Sequence, residues 1–301
     1  MNGGTQPRWP PGCSRSRAWR PGQEAGGDLP GGKADEDDSQ RGNTVQPFNV
    51  SVPNVARMYD FYLGGKDNFA ADREAAERMI CRMPRIPAAA RGNRRFLRNA
   101  VTAVAAAGVK QFIDIGSGLP TMENTHQVAH TVDADIRVAY VDRDPTAVTH
   151  ARALLENNTD TVFVLDGDLR EPVILTHLLG DFVDFDEPVA LMLVAVMHFV
   201  ETPEAYRVVD AYKDRMAPGS CLILSHSTAD FLSEEQARVI TDEYSESNAR
   251  IFLRDRQDVT RFFDGLELLE PGVTDVATWR SGPVRARPTM VWGGVGRKTA
   301  G

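Results

Sequence analysis

Short apolar runs alternate with longer stretches in which apolar residues recur at helical spacing along most of the chain. The runs at 109–114 (VKQFID), 136–142 (IRVAYVD), 161–165, 188–196 (PVALMLVAV) and 220–225 read as strands. Residues 188–196 are apolar throughout, as expected of a central parallel strand covered on both faces. Between the strands, Asp144 and Pro145 are suited to cap and open a helix through 155. Phe96, Leu97, Val101 and Val104 predict a helix over 88–107 packed beside the first strand. Two last runs, 266–269 and 288–296, predict a closing antiparallel hairpin. The whole pattern predicts an α/β fold, with seven strands in a mostly parallel, doubly wound sheet.

The chemistry gathers where the first strand ends, at Asp114, and turns through Gly116-Ser117-Gly118 toward an expected helix start. Glycines let backbone approach a ligand, and a helix N-terminus offers free N–H groups. A dinucleotide fingerprint needs a third glycine where this chain has Thr121, and Asp114 would repel a pyrophosphate. The acid suits a ligand with an ammonium and a sulfonium and no phosphate, which describes S-adenosylmethionine. The second strand ends in Asp142, placed to accept both ribose hydroxyls of an adenosine. The third runs into Asp166-Gly167-Asp168-Leu169, where Asp168 can accept from an adenine amino group. A nicotinamide oxidoreductase on a similar sheet is the weaker alternative, opposed by Thr121, Asp114 and the closing hairpin.

Outside this Rossmann-like core, residues 53–79 (PNVARMYDFYLGGKDNFAADREAAERM) stand beside QFIDIGSGLPT, YVDRDPTAVTHARALL, PVALMLVAVMHFV, RFFDGLELLEPG and VWGGVGRK. Together, over about 53–298, these segments resemble the actinobacterial S-adenosyl methyltransferase family once classed as a domain of unknown function. The resemblance implies a class I methyltransferase using S-adenosylmethionine. Gly116, Ser117 and Gly118 would then line its methionine part, Asp142 the ribose, and Asp168 with Leu169 the adenine. Arg143 beside Asp142 and Ala195 at the end of the fourth strand complete the expected cofactor set. The acceptor stays open, with an oxygen or nitrogen of a small molecule as the expectation. A non-catalytic protein that binds S-adenosylmethionine or its product would carry the same binding residues.

Domain organisation reads as a disordered tail over 1–45, rich in Gly and Pro, a helical cap region over 46–108, and the core over 109–301 with a charged helical insertion at 228–265. In the cap, Gly64-Gly65 precede Lys66-Asp67-Asn68. One reading has Tyr62, Lys66 and Asn68 closing on the cofactor, with Lys66 pairing with its carboxylate or with Asp114. The other has the glycines end one helix and Lys66 to Asn68 begin the next. In the insertion, Ser233 with Gln236 predicts a helix start, and Tyr244, Asn248 and Arg250 are candidate acceptor contacts.

Net charge is −8, which counts against a nucleic-acid acceptor, although Arg82, Arg85, Arg91, Arg94, Arg95 and Arg98 form a local cluster. No apolar run suits a membrane span and no leader is evident at the N-terminus, so a cytoplasmic location is expected. Cys13, Cys81 and Cys221 read as unpaired thiols, and neither they nor the histidines have metal-ligand spacing. Methyl transfer needs a base only if the acceptor arrives protonated. His198, just past the fourth strand, is the candidate for that role, with His226 second.

Overall fold

Three helices precede the sheet in the computed structural model, which describes residues 49–120, 123–155, 160–282 and 288–300. They are α1 (Val55–Leu63), α2 (Ala70–Arg82) and α3 (Ile86–Ala106). Then follow β1 (Gln111–Ile115), α4 (Thr125–His130), β2 (Arg137–Asp142), α5 (Pro145–Leu155), β3 (Val162–Asp166), α6 (Pro172–Leu179) and β4 (Val189–Val194). A 3-10 turn, Met197–Phe199, leads to α7 (Glu204–Arg215), β5 (Cys221–Ser227), α8 (Glu234–Ser245) and α9 (Arg256–Arg261). The chain closes with β6 (Glu267–Leu268), β7 (Thr274–Asp275) and β8 (Val291–Arg297). The tail expected over 1–45 lies outside the described residues.

The sheet runs β3-β2-β1-β4-β5-β8-β6, with β7 also on β8. β1 to β5 are parallel, and β8 lies antiparallel between β5 and the short strands. Chain direction across the sheet reverses between β1 and β4, so a crevice forms beyond their C-terminal ends. Eight strands replace the expected seven. Pro271 lacks an N–H and Gly272 turns at φ 79°, so the run after Leu268 breaks and β7 forms separately.

β4 is buried along almost its whole length, as its unbroken apolar sequence requires, and Leu191, Leu193, Leu222 and Leu224 join one core with α6, α7 and α9 residues. Each such side chain contributes on the order of 1.5–3 kcal/mol. Asp144 accepts from the Thr146 N–H, and Ser233 with Gln236 closes a reciprocal cap on α8, as their sequence predicts. The cap region is tied by Asp72, wholly buried, which accepts from Arg57 Nε at 2.6 Å and from the backbone N–H of Asn54 and Phe69. Cys221 is a free buried thiol, whereas Cys81 is disulfide-bonded, against the expectation of three unpaired thiols. Distance along the chain does not limit pairing in space.

Candidate active site

A cavity occupies the crevice at the C-terminal ends of β1 to β5, bounded by α1, the first turns of α3, and α8 with the loop behind it. Its two halves differ in character. One half holds carboxylates and backbone N–H groups, the other aromatic rings.

In the first half, Asp142 ends β2 with each oxygen fixed by backbone: Oδ2 accepts from Gly118 N–H at 2.8 Å and Oδ1 from Asp144 N–H at 2.9 Å. Burial raises its pKa, and those N–H groups oppose the shift. The glycine turn permits this approach because Gly116 has φ 71°, and a Cβ there would stand 2.3 Å from Val196 Cγ2. Asp114 lies deeper. Burial pushes its pKa up to about 6, against a 2.6 Å hydrogen bond from Thr125 Oγ1 and the field of Arg94. Arg94 lines the same cavity, and its buried Nε has no hydrogen-bond partner among the described residues. A desolvated carboxylate and an incompletely satisfied guanidinium on one wall are complementary to a ligand bearing both an ammonium and a carboxylate.

At the far end, Asp168 accepts from Arg170 N–H and lies within 3.1 Å of Arg170 Nη1 and 3.5 Å of Arg143 Nη1. Leu169 is set by its carbonyl, which accepts from Tyr212 Oη. At the sheet centre Ala195 takes φ 57°, an uncommon conformation for a residue with a Cβ. Its N–H is held by Ser225 Oγ, which donates in turn to Asn93 Oδ1; Asn93 Nδ2 donates to Tyr59 Oη, and Tyr59 to the Ala90 carbonyl. This chain locks the end of β4 against α3 and α1.

The second half is lined by Tyr59, Tyr62, Phe199, Ile240, Tyr244 and Met290. Burial raises the Tyr62 and Tyr244 phenols, the latter to about 12, so both stay protonated at neutral pH. His198 also lines this half, 5% exposed. Burial and Arg254 lower its pKa to about 3. Its Nδ1 accepts the Ser227 N–H at 3.4 Å, which leaves the ring proton on Nε2. The base role expected of His198 therefore finds no support in this geometry. His226 lies outside the cavity lining; its Nε2 accepts from Arg254 Nη1 and its Nδ1 donates to the Ser227 carbonyl. Arg254 also holds the Met197 and Val200 carbonyls, fixing the turn that carries His198 and Phe199.

Asp114, Gly116, Ser117, Gly118, Asp142, Arg143, Asp168, Leu169, Ala195 and Tyr62 all come together on this cavity, with Tyr244 and Asn248 from the insertion. Lys66, Asn68 and Arg250 do not line it. Gly64 is the left-handed cap of α1, Lys66 is exposed, and Asn68 turns away to donate to Asp60, so the loop does not close on the cavity. Nor does a helix follow the glycine turn directly: Leu119 precedes Pro120, which disfavours helical backbone, and α4 starts at Thr125. Asn54 and Arg94 were not expected here. Asn54 caps α1 and donates to the Asp144 carboxylate. Arg94 follows Ala90 by one helical turn on the inner face of α3, a spacing that could have separated it from the other arginines.

The family model described as S-adenosyl methyltransferase matches residues 41–299. A crystal structure of a candidate methyltransferase from Thermobifida fusca YX is similar at 38% identity and TM-score 0.79, covering 86% of this chain and 100% of its own. A DUF574 family protein from Streptomyces avermitilis MA-4680 is similar at 36% identity and TM-score 0.78, covering 83% and 98%. No curated protein sequence matches significantly.

Proposed function

Since the chain belongs to the S-adenosyl methyltransferase family and has the methyltransferase fold, with S-adenosylmethionine as its cofactor, we propose that its acceptor is an oxygen or nitrogen of a small molecule. Bound, the cofactor supplies a methyl group already activated on a sulfonium.

The observation that carries the site reading is the set of opposed groups on one wall. Asp114 accepts the ammonium and Arg94 the carboxylate, while Gly116, Ser117 and Gly118 line the path between them. Asp142, fixed by two backbone N–H groups, keeps lone pairs for the ribose diol. Arg143 borders that ribose site. Asp168 and the Leu169 backbone take the adenine edge, and Ala195 closes the floor. Arg94 takes the part expected of Lys66.

The rest of the chain orients the acceptor and excludes water. The insertion closes over the cap: Asn248 Oδ1 accepts from Val55 N–H, and Glu243 pairs with Arg78 and Arg82. An enclosed cavity of this kind, with a net charge of −8, supports a small acceptor over a nucleic acid. His198 serves as a positioning residue.

Calorimetric titration with S-adenosylmethionine, S-adenosylhomocysteine and NAD, beside an Asp142→Ala variant, tests the reading. Binding of the adenosyl ligands alone, weakened roughly a hundredfold or more in the variant, is expected from the loss of charge-assisted hydrogen bonds to two hydroxyls. Undiminished binding in a folded variant would remove Asp142 from the site.

A further inference from the structure

The acceptor half is unusual for what it does to protons. Among the described residues that line it, each group capable of receiving one is engaged elsewhere or held neutral. Tyr59 Oη accepts from Asn93 and donates to the Ala90 carbonyl. His198 offers no free lone pair, because Nδ1 accepts from Ser227 and Nε2 carries the proton. The Asp60 carboxylate takes Asn68 Nδ2 at 2.7 Å and packs under Gly65, whose missing Cβ would lie 1.8 Å from Oδ1. Tyr62 and Tyr244 are protonated phenols. A phenol, carboxylic acid or alkylammonium acceptor would have to lose its proton here with no group to take it.

The same surfaces are well made for a cation. Tyr59, Tyr62, Tyr244 and Phe199 bring four aromatic rings to one half-cavity, and Phe199 and Tyr244 lie 6.0 Å apart between centroids. Ring faces attract a desolvated organic cation, as in aromatic cages for quaternary ammonium groups.

We propose that the acceptor is an uncharged nitrogen heteroaromatic, methylated on its ring nitrogen to give a cation held by Tyr59, Tyr62, Tyr244 and Phe199. Such nitrogens, of the pyridine and imidazole kind, are basic weakly enough to keep a free lone pair near neutral pH, unlike an alkylamine of the lysine kind. The lone pair forms the new C–N bond while the C–S bond breaks with its electrons moving to sulfur. The positive charge passes from sulfur to nitrogen and no proton leaves, so no base is needed. This inference rests on the cofactor reading above.

The test uses three probes of one shape, N-methylisoquinolinium, isoquinoline and 2-naphthol, titrated calorimetrically into protein loaded with S-adenosylhomocysteine. Failure to load would remove the cofactor reading and this inference together; successful loading isolates the acceptor question. The cation and the heteroaromatic base are expected to bind about tenfold more tightly than the phenol. Tyr244→Phe should keep that preference and Tyr244→Leu lose it, both with S-adenosylhomocysteine binding intact; if Tyr244→Leu does not load, Phe199→Leu takes its place. A merely structural role would weaken all three probes alike. Equal or tighter binding of 2-naphthol, binding of none of the three to loaded protein, or a preference that survives loss of the ring overturns the proposal.

Discussion

The two halves of the cavity are built by different parts of the chain and hold their shape by different means. The carboxylate half hangs on strand ends, where positions are fixed by backbone: Gly118 and Asp144 N–H on Asp142, and Val141 carbonyl receiving Gly116 N–H at 2.7 Å. The aromatic half is assembled from α1, the turn after β4, α8 and the start of β8, and its shape comes from side-chain packing. Strand ends cannot be moved without disturbing the sheet, whereas a packed helix surface accepts new side chains of similar volume. The difference suits a site in which the donor is constant and the acceptor has a shape of its own.

That contrast can be broken most forcefully at Gly116. Gly116→Ala adds a methyl 2.3 Å from Val196 at φ 71°, and should cost about 2–5 kcal/mol of stability with loss of cofactor binding. Tyr244→Phe, which removes only a hydroxyl, should leave folding and cofactor affinity nearly unchanged. Thermal unfolding and calorimetry on the pair give the answer, and equal damage from both would erase the distinction. Next in size, Arg94→Gln should weaken S-adenosylmethionine by about ten- to a hundredfold through a lost charge-assisted contact, yet leave 5′-methylthioadenosine, which lacks the amino-acid head, within about twofold. A parallel loss for both ligands would show that Arg94 acts on the fold.

The smallest effect is the most diagnostic, because the halves respond oppositely to acid. Asp114 has a folded value of about 6, above that of the unfolded chain, so the native state holds its proton more tightly. The cost of ionising it is absent below about pH 4 and grows as pH rises through 6. His198 and His226 are lowered by burial, so the unfolded chain takes up protons first, and stability falls as pH drops below 6.5 toward the value of about 3 for His198. Asp114→Asn should therefore stabilise the unliganded protein by roughly 1–3 kcal/mol at pH 7 and little at pH 4, while weakening S-adenosylmethionine. In the native protein, affinity for that ligand should fall as pH drops through about 6, where Asp114 loses its charge. Unfolding temperatures of both proteins from pH 4 to 8 read the first effect, and titrations across the same range read the second.

The carboxylate half was legible in the sequence because its residues sit where strands stop. A strand boundary marked by an apolar run and an acid fixes a place in space, and Asp114, Asp142 and Asp168 fell where that logic put them. The aromatic half was legible only in pieces. Tyr62 and Tyr244 were picked out, but what brings them together is the packing of α1 against a segment far along the chain, which no local spacing records. Lys66 misled because a charged residue after two glycines suggests a loop over a ligand, while the same residues serve equally as a helix cap. Arg94 was hidden among neighbouring arginines of like type; only the inward face of α3 distinguishes it. His198 was found by position, but its inertness follows from Ser227 and Arg254, neither of which the sequence marks as its neighbour.

The first turn of α1 holds three distant parts of the molecule at once. The Asn54 side chain donates to Asp144, its N–H to Asp72, and the adjoining Val55 N–H and Pro53 carbonyl are both engaged by Asn248. Cap, insertion and the loop after β2 therefore share one fastening. The mouth of the cavity opens as a cooperative unit, not as two independent flaps, and the residence time of a molecule in one half is coupled to that of its neighbour in the other.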